Sequence, residues 1–120
     1  MDELIAEMDR RYKLFAEESV EDLFEYNRGH KRSMLPVPWL FHDEIADWTR
    51  DKDYNREFTD KMTILATKVR AAGIFLVPIA QRPDKDVLPM QVRDNLGNRL
   101  ALKLETEASS KIALDKSGAE

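Results

Sequence analysis

Two short apolar runs flank one long amphipathic segment in the middle of this chain. The runs, Trp39–Phe41 and Ile74–Ala80, have the length and composition of buried strands. The apolar residues of the segment between them step by four, three and four, which predicts a helix over residues 55–72; they are Phe58, Met62, Leu65 and Val69. Gly73 follows as a natural helix terminator. This order predicts two parallel strands joined by a helical crossover.

A third apolar run, Leu100–Leu104, extends the pattern to strand, helix, strand, short helix, strand. The predicted fold class is therefore α/β, with a mostly parallel sheet flanked by helices. Pro78 disagrees with this scheme, because proline cannot donate a ladder hydrogen bond and is unusual in a strand except at a bulge or an unpaired edge position.

Helices are also predicted near both ends of the chain. Apolar residues at helical spacing indicate a helix from Asp2 to about Glu17. Ser19 and Asp22 resemble a capping box that would begin a second, short helix ending near Gly29. Residues 28–38, rich in basic and proline residues, suit a surface connection. A last short helix is expected between Ser109 and Gly118.

Composition excludes several classes of function. The 120 residues suit one domain, and the chain has no cysteine, so disulfides, thiolate metal sites and cysteine nucleophiles are excluded. No apolar run approaches the roughly 20 residues that span a bilayer, which favours a cytoplasmic chain. The net charge is −4, but residues 1–60 sum to −7 and residues 61–120 to +3. Contact with a polyanion is therefore expected from the second half.

The first apolar run ends in two adjacent carboxylates, Asp43 and Glu44. In nucleotide motors, an Asp at a strand end holds the magnesium ion, and the following Glu orients and deprotonates the attacking water. The alternative, equally weighted on this pair alone, is that both carboxylates favour the N-terminus of a following helix through its dipole.

Gln81 follows the second run, where an amide could sense the terminal phosphate or hold the attacking water. A polar residue that begins a turn is the alternative, but ligands of open α/β sheets bind where strands end, so the two strand ends together favour a site. Arg70, in the last turn of the central helix, suits capping, or alternatively an arginine finger that reaches a neighbouring subunit. Arg82 and Arg99 compete for the finger role. We expect His42 to be a paired core residue without chemistry.

No Gly-x-x-x-x-Gly-Lys-Ser/Thr stretch is present to bind phosphates. We therefore expect that these 120 residues alone do not hydrolyse ATP efficiently.

Seven segments together resemble the FtsK/SpoIIIE family of hexameric DNA translocases. Residues 7–14 and 25–27 are similar to the family's Glu-Met-Glu-Arg-Arg-Tyr helix and Gly-Tyr-Asn segment. Residues 41–47 resemble its Walker B stretch, Val-Val-Asp-Glu-Phe-Ala-Asp. Residues 70–74 and 80–83 match Arg-Ala-Ala-Gly-Ile and Thr-Gln-Arg-Pro, and the last 26 residues contain two further matching stretches.

The resemblance implies the C-terminal part of a RecA-like P-loop NTPase motor, from Walker B onward. Residues 1–37 would form a helical lead-in and residues 38–120 the Walker B, sensor and following strands. Asp43 would bind Mg²⁺, Glu44 would act as the catalytic base and Gln81 as the sensor for ATP. The implied assembly is a homo-hexamer around double-stranded DNA.

Other functions stay open at this point. His42, Pro78 and the Gly97–Asn98 pair depart from the family pattern. These departures make a plasmid, conjugative or secretion-associated relative as plausible as a chromosome-segregation motor. A secretion ATPase that acts on protein and a non-catalytic interaction module are the remaining alternatives.

Two basic loops are candidates for contact with DNA phosphates. Arg50 and Lys52 follow the carboxylates, and Arg82 and Lys85 follow the sensor. Phosphate contacts give grip without sequence preference, which a translocase needs. Both loops also carry acidic residues, so an ordinary solvated loop is equally expected for each.

Overall fold

The structure is a computed structural model that describes residues 1–49, 51–81 and 90–120, without the side chain of Trp48. The elements in these ranges are α1 (Asp2–Glu17), α2 (Leu23–Gly29), β1 (Trp39–His42), α3 (Ile45–Trp48), α4 (Lys52–Ala72), β2 (Phe75–Pro78), α5 (Met90–Asn95) and α6 (Glu107–Leu114).

β1 and β2 pair in parallel, with Trp39 opposite Phe75 and His42 opposite Pro78. The chain crosses between them through α3 and α4, as the order of apolar runs predicts. The α/β class and the parallel pairing are thus confirmed.

Pro78 fits β2 because its missing N–H points away from β1. The N–H groups of Phe75 and Ile79 donate to the carbonyls of Pro38 and His42, at 2.9 Å in both cases. Amides alternate in direction along a strand, so the nitrogen of Pro78, between these donors in register, faces the other edge of β2. The proline therefore removes no hydrogen bond from the β1–β2 ladder.

The predicted third strand over Leu100–Leu104 is wrong for the described residues, which contain only β1 and β2 as strands. Leu100 is 92% exposed and Leu102 is 79% exposed. A strand is stabilised by hydrogen bonds to a neighbour, and apolar alternation alone does not supply one.

α4 is the central helix, and it begins three residues before the predicted Asn55. Asp51 caps it by accepting hydrogen bonds from the amides of Asp53 and Tyr54. It ends at Gly73, as predicted, in the left-handed conformation with φ 69°. A Cβ on Gly73 would lie 2.1 Å from Cδ2 of Leu23, so this glycine also lets α2 approach closely.

α1 has the predicted bounds and runs in the same direction as α4. Near its start Asp2 pairs with Lys61, and near its end Arg11 reaches Ala72. Met8 packs between them on the cluster around Leu65. The region predicted as a lead-in is thus packed along the crossover helix.

The predicted cap of α2 is wrong by three residues. Asp22, not Ser19, is the N-cap, and it accepts a hydrogen bond from the amide of Glu25. The side chain of Glu25 accepts in turn from the amide of Glu21. Ser19 has φ 53°, in the left-handed region, and therefore belongs to the turn that separates α1 from α2.

The two faces of the sheet differ. Leu76 packs on the α4 residues of two apolar clusters, and His42 contacts the ring of Phe58, so α4 covers this face. On the opposite face Trp39, Phe41 and Phe75 are 57%, 64% and 41% exposed. We call these three residues the aromatic face.

α6 begins at Glu107, two residues before the predicted Ser109, and the hydroxyl of its N-cap residue, Thr106, accepts a hydrogen bond from the amide of Ser109. Among the described helices, none combines the length and apolar character needed to cross a bilayer.

Candidate functional site

Asp43 and Glu44 occupy a short bulge at the carboxyl end of β1. The amide of Ile79 donates to the carbonyl of His42 at 2.9 Å, and the carbonyl of Ile79 accepts from the amide of Ile45 at 3.1 Å. In a regular parallel ladder the two partners of one residue are two positions apart, whereas these are three apart. The extra residue is accommodated within Asp43–Glu44, so both ends of the carboxylate pair are pinned to Ile79.

Glu44 absorbs this extra residue by adopting φ 49° and ψ 64°, the left-handed conformation. Such a conformation costs roughly 1–2 kcal/mol for a side chain larger than glycine. It precedes α3, but its side chain makes no capping hydrogen bond. Helix capping therefore does not explain the carboxylate of Glu44, whereas strained residues of this kind cluster at functional sites.

Ile45, directly after the pair, is completely buried against Phe58 and Met62. This apolar anchor holds the outgoing chain. The residues on both sides of the pair are therefore anchored, by their hydrogen bonds to Ile79 and by the burial of Ile45. Asp43 itself is exposed and Glu44 is half-buried.

Gln81 lies two residues after Ile79 and is exposed. Because Ile79 bonds to both sides of the carboxylate pair, the described chain brings Gln81 and Asp43–Glu44 to the same end of the sheet. This is the edge where ligands of parallel sheets bind. The structure thus brings the predicted base, metal ligand and sensor together at one edge.

The donor set suits Mg²⁺ only in combination with phosphates. Within the described residues there is no group of three or more His, Cys, Asp or Glu side chains that could hold a metal. Mg²⁺ usually keeps several waters and takes one or two carboxylates plus phosphate oxygens. An exposed Asp43 beside a second carboxylate therefore fits a magnesium ion delivered with a nucleotide.

His42 points to the face covered by α4. Its ring lies edge-on to Phe58 with 4.9 Å between centroids, and burial lowers the pKa of its imidazole. With Leu40, Tyr54 and Lys61 it lines a cleft of about 370 Å³ beneath the start of α1. Alternation along the chain places it on the opposite side from Asp43. The expectation that it takes no part in the chemistry stays a prediction.

Arg70 is exposed in the last turn of α4, three residues before Gly73. α4 leads into the amino end of β2, so Arg70 and the carboxylates lie at opposite ends of the sheet. Arg70 is therefore remote from the carboxylates of its own chain.

Arg99, a competitor for the finger role, has partners within the chain. It pairs with Asp115, and its Nη2 donates to the carbonyl of Arg93 at 3.1 Å. These contacts tie the segment after α5 to the end of α6. Arg82, the other competitor, lies outside the described residues.

Sequence reasoning gave no role to Arg11, which proves to be the most buried charged residue described. It is 1% exposed, and its Nη1 donates to the carbonyl of Ala72 at 2.9 Å. Its Nε donates to Glu7 at 2.7 Å, and the neighbouring Tyr12 hydroxyl donates to the carbonyl of Lys68. Two side chains of α1 thus donate hydrogen bonds to carbonyls in the last turns of α4, and that of Ala72 has no partner within the helix. The available signal was the Glu7–Arg11 spacing of four, typical of a helical ion pair.

Of the four predicted DNA contacts, only Lys52 falls within the described residues. It is exposed and is the first residue of α4. Arg50, Arg82 and Lys85 lie outside the described residues.

Comparison with known proteins agrees with the resemblance drawn from the motifs. The DNA translocase FtsK of Campylobacter jejuni is 35% identical over 120 residues, which cover 98% of this chain and 12% of that protein. The DNA translocase SpoIIIE of Bacillus subtilis is 32% identical over 126 residues, covering 98% of this chain and 16% of that protein. The chain therefore spans less than a fifth of the length of these relatives. No protein-family model matches it.

Two solved structures share the fold. The conjugation coupling protein TcpA of pCW3, in its monomer form with ATPγS, superposes with a TM-score of 0.84 and 26% identity. The match covers 96% of this chain and 34% of TcpA. The cytoplasmic domain of the type VII secretion ATPase EccC of Thermomonospora curvata gives a TM-score of 0.79 at 19% identity, over 97% of this chain and 14% of EccC. One of these proteins was solved with an ATP analogue and the other is an ATPase, and the described elements share their P-loop NTPase fold.

Proposed function

Because this chain belongs to the FtsK/SpoIIIE family of DNA translocases, we propose that it forms part of an ATP-driven motor that moves double-stranded DNA. One observation carries the proposal. Ile79 holds both ends of the Asp43–Glu44 pair and places Gln81 at the same edge of a parallel sheet. This edge is where an α/β sheet binds its ligand, and carboxylates and an amide are the groups that nucleotide hydrolysis uses.

Each residue has a distinct task in this proposal. Asp43 would hold Mg²⁺, which when bound neutralises charge on the phosphates. Glu44 would accept a proton from the attacking water, and its strained backbone would keep the carboxylate aimed outward. Gln81 would donate or accept a hydrogen bond at the terminal phosphate or the water. The phosphate-binding loop would come from outside these 120 residues, since the sequence contains none.

The experiment that tests these roles uses a hybrid motor, in which these 120 residues replace the aligned segment of the Campylobacter jejuni FtsK. We expect DNA-stimulated ATP hydrolysis by the hybrid. Glu44→Gln should lower kcat by about 10²–10⁴-fold, the usual contribution of a general base. Asp43→Asn should raise the Mg²⁺ concentration needed for half-maximal turnover.

Glu105→Gln is the matched control, because Glu105 is an exposed carboxylate far along the chain from β1. It should leave turnover unchanged. Full activity in Glu44→Gln would remove Glu44 from the role of base.

The same assay separates DNA from protein as the moved polymer. Relatives named DNA translocases are 32–36% identical, whereas the likeness to the secretion ATPase is one of fold alone. We therefore expect stimulation of hydrolysis by duplex DNA. A hybrid that hydrolyses ATP at one rate with and without DNA would favour a protein substrate, and a hybrid without any hydrolysis would favour an interaction module.

We include in the proposal a homo-hexameric ring with Arg70 as the arginine finger. Its exposure and its position at the far end of the sheet from Asp43–Glu44 suit a contact with the neighbouring subunit's nucleotide. An arginine supplied from a neighbour stabilises charge that develops on the phosphates.

DNA contact in the hybrid would involve the basic residues after each strand end. We expect the double variant Arg50→Ala, Lys85→Ala to weaken binding equally for unrelated duplex sequences. Each lost phosphate contact makes the slope of log K against log salt shallower by about 0.9. The slope of the double variant should therefore be shallower by about two. Lys111→Ala, a basic change on α6, is the control. An unchanged slope in the double variant would exclude these loops from the DNA path.

A further inference from the structure

Arg70 lies in a turn of α4 that α1 holds on both sides. The hydroxyl of Tyr12 donates to the carbonyl of Lys68. Nη1 of Arg11 donates to the carbonyl of Ala72 at 2.9 Å. These carbonyls are about one helical turn apart, and Arg70 lies midway between them in sequence. Consecutive residues of α1 therefore hold the backbone just before and just after the proposed arginine finger.

Buried packing fixes the rotation of the same turn. Val69 and Ala72 belong to the apolar cluster that contains Met8 of α1. The amide of Gly73 donates to the carbonyl of Arg70 at 3.1 Å. Successive residues of a helix are rotated by about 100°, so the burial of Val69 and Ala72 sets the direction that position 70 faces. That direction is towards solvent, since Arg70 is exposed.

The side chain of Arg70 differs from its backbone in having no partner. Among the residues that the structure describes, none forms a hydrogen bond or an ion pair with this guanidinium. Glu7, by contrast, accepts hydrogen bonds from both Arg10 and Arg11. Helix ends fray when nothing holds them, and an arginine on a loose turn loses more entropy when it binds a ligand. A held turn with an unengaged guanidinium therefore suits a residue that acts outside its own chain.

We propose that Arg11 and Tyr12 are positioning residues for Arg70. They hold the last turn of α4 so that the guanidinium reaches the nucleotide of the neighbouring subunit in the orientation that stabilises the transition state. This inference rests on the proposed function, in which Arg70 is the arginine finger. A catalytic group displaced by about 1 Å can lose about a hundredfold in rate, so contacts remote from the nucleotide can govern turnover. Neither Arg11 nor Tyr12 touches the nucleotide itself in this arrangement.

The competing explanation is that both residues serve only the stability of their own chain. The two explanations differ in which subunit is impaired. A subunit that folds poorly loses the activity of its own Asp43–Glu44 pair. A subunit with a loose last turn of α4 keeps that pair intact and impairs only the site of its neighbour. Mixing subunits therefore separates the two explanations.

The test uses the hybrid motor with Arg11→Gln or with Tyr12→Phe, which removes only a hydroxyl and covers the case in which Arg11→Gln does not fold. We expect kcat to fall by about a hundredfold for Arg11→Gln and about fivefold for Tyr12→Phe, without a change in KM for ATP. Arg10→Gln is the matched control, because Arg10 also pairs with Glu7 but its side chain is 54% exposed. That control should leave turnover unchanged.

Each variant is then mixed 1:1 with Glu44→Gln subunits. Positioning predicts recovery to about a quarter of the parent rate for Arg11→Gln, because that share of sites combines an intact Glu44 with a neighbour whose last turn is held. For Tyr12→Phe the mixture should exceed the rate of the variant alone. A Tyr12→Phe mixture with half the rate of that variant alone would show that the subunit's own site is impaired, and would overturn the proposal. Full turnover in Arg70→Ala would instead overturn the finger and its positioning together.

A second measurement does not require hydrolysis. Arg70→Cys introduces a single thiol, since the 120-residue chain contains no cysteine, and a nitroxide attached there reports the mobility of the last turn by electron paramagnetic resonance. Adding Arg11→Gln or Tyr12→Phe should sharpen the spectrum. A nitroxide at Phe24→Cys on α2, where Phe24 is 57% exposed, is the control and should be unaffected. Unchanged spectra at position 70 in both variants would contradict the proposal, even if the hybrid motor proves inactive.

Discussion

The buried guanidinium of Arg11 donates to the backbone carbonyl of Ala72 at 2.9 Å, across 61 positions of sequence. The bond joins α1 to the last residue of α4. Helix ends leave carbonyls without intrahelical partners, and here a charged side chain supplies one. The contact fixes the point where the crossover turns into β2, and therefore the strand that leads to Ile79 and Gln81.

Replacing Arg11 should therefore destabilise the chain. We expect Arg11→Ala to lower the free energy of unfolding by about 2–4 kcal/mol, because it removes two charge-assisted hydrogen bonds and leaves a cavity. Urea denaturation measures the change. Arg10→Ala is the matched control, since Arg10 also pairs with Glu7 but its side chain is 54% exposed. That control should cost less than about 1 kcal/mol, and similar losses in both variants would contradict the role of Arg11.

The carboxylate of Glu7 should give the stability a dependence on pH. Hydrogen bonds from Arg10 and then Arg11 hold the pKa of Glu7 at about 2, below its ordinary 4.5. A lowered folded-state pKa means that the unfolded chain binds the proton more readily, so stability present above about pH 4.5 is lost as pH falls toward 2. Denaturation at a series of pH values should show this loss. Glu7→Gln should flatten the curve in that window, and an equally steep curve in the variant would rule Glu7 out as a cause.

Gly73 should not tolerate a side chain. Gly73→Ala combines a left-handed backbone with a Cβ placed 2.1 Å from Leu23, and we expect a loss of at least about 2 kcal/mol. Thermal unfolding is the measurement. Gly29→Ala provides the control, because nothing lies within 4 Å of its added Cβ. That control should be neutral or slightly stabilising, as alanine is the better helix former.

Glu44 should show a trade of stability against activity. Glycine adopts the left-handed conformation without the steric cost, so Glu44→Gly should raise the unfolding free energy of the chain by up to about 1 kcal/mol. The same change should abolish turnover of the hybrid motor. Ser19→Gly relieves the same kind of strain away from the strand ends, and it should stabilise the chain without affecting turnover. A Glu44→Gly chain less stable than the parent would show that the side chain of Glu44 is itself stabilising.

Mixing variants should reveal whether Arg70 acts between subunits. Hybrid motors with Arg70→Ala or Glu44→Gln should each be nearly inactive. A 1:1 mixture should regain about a quarter of the parent ATPase activity, because that share of interfaces pairs an intact Glu44 with an intact Arg70 from the neighbour. Arg99→Ala mixed with Glu44→Gln is the control, since Arg99 is bound within its own chain. The absence of recovery in the Arg70 mixture would remove Arg70 as the finger.

The crossover unit could be predicted from the sequence, because the signals that define it are local. The four-three-four spacing from Phe58 to Val69 predicts a helix from neighbouring residues alone, and Gly73 ends that helix through its own backbone freedom. The short runs on either side then have one common arrangement, a parallel pair with right-handed connection. The carboxylates at the end of one run and Gln81 at the end of the other were found for the same reason.

Features that depend on a partner distant in sequence could be found only in the three-dimensional structure. Leu100–Leu104 has the composition of a strand but no neighbouring strand in the described structure, and no local signal reports this. The left-handed Glu44 follows from Ile79 bonding to both His42 and Ile45, which is a property of register between strands. Arg11 is buried where its guanidinium meets the carbonyl at the end of α4, 61 positions away in sequence. Hydrogen bonds across long separations in sequence set these features, and a residue pattern does not encode their geometry.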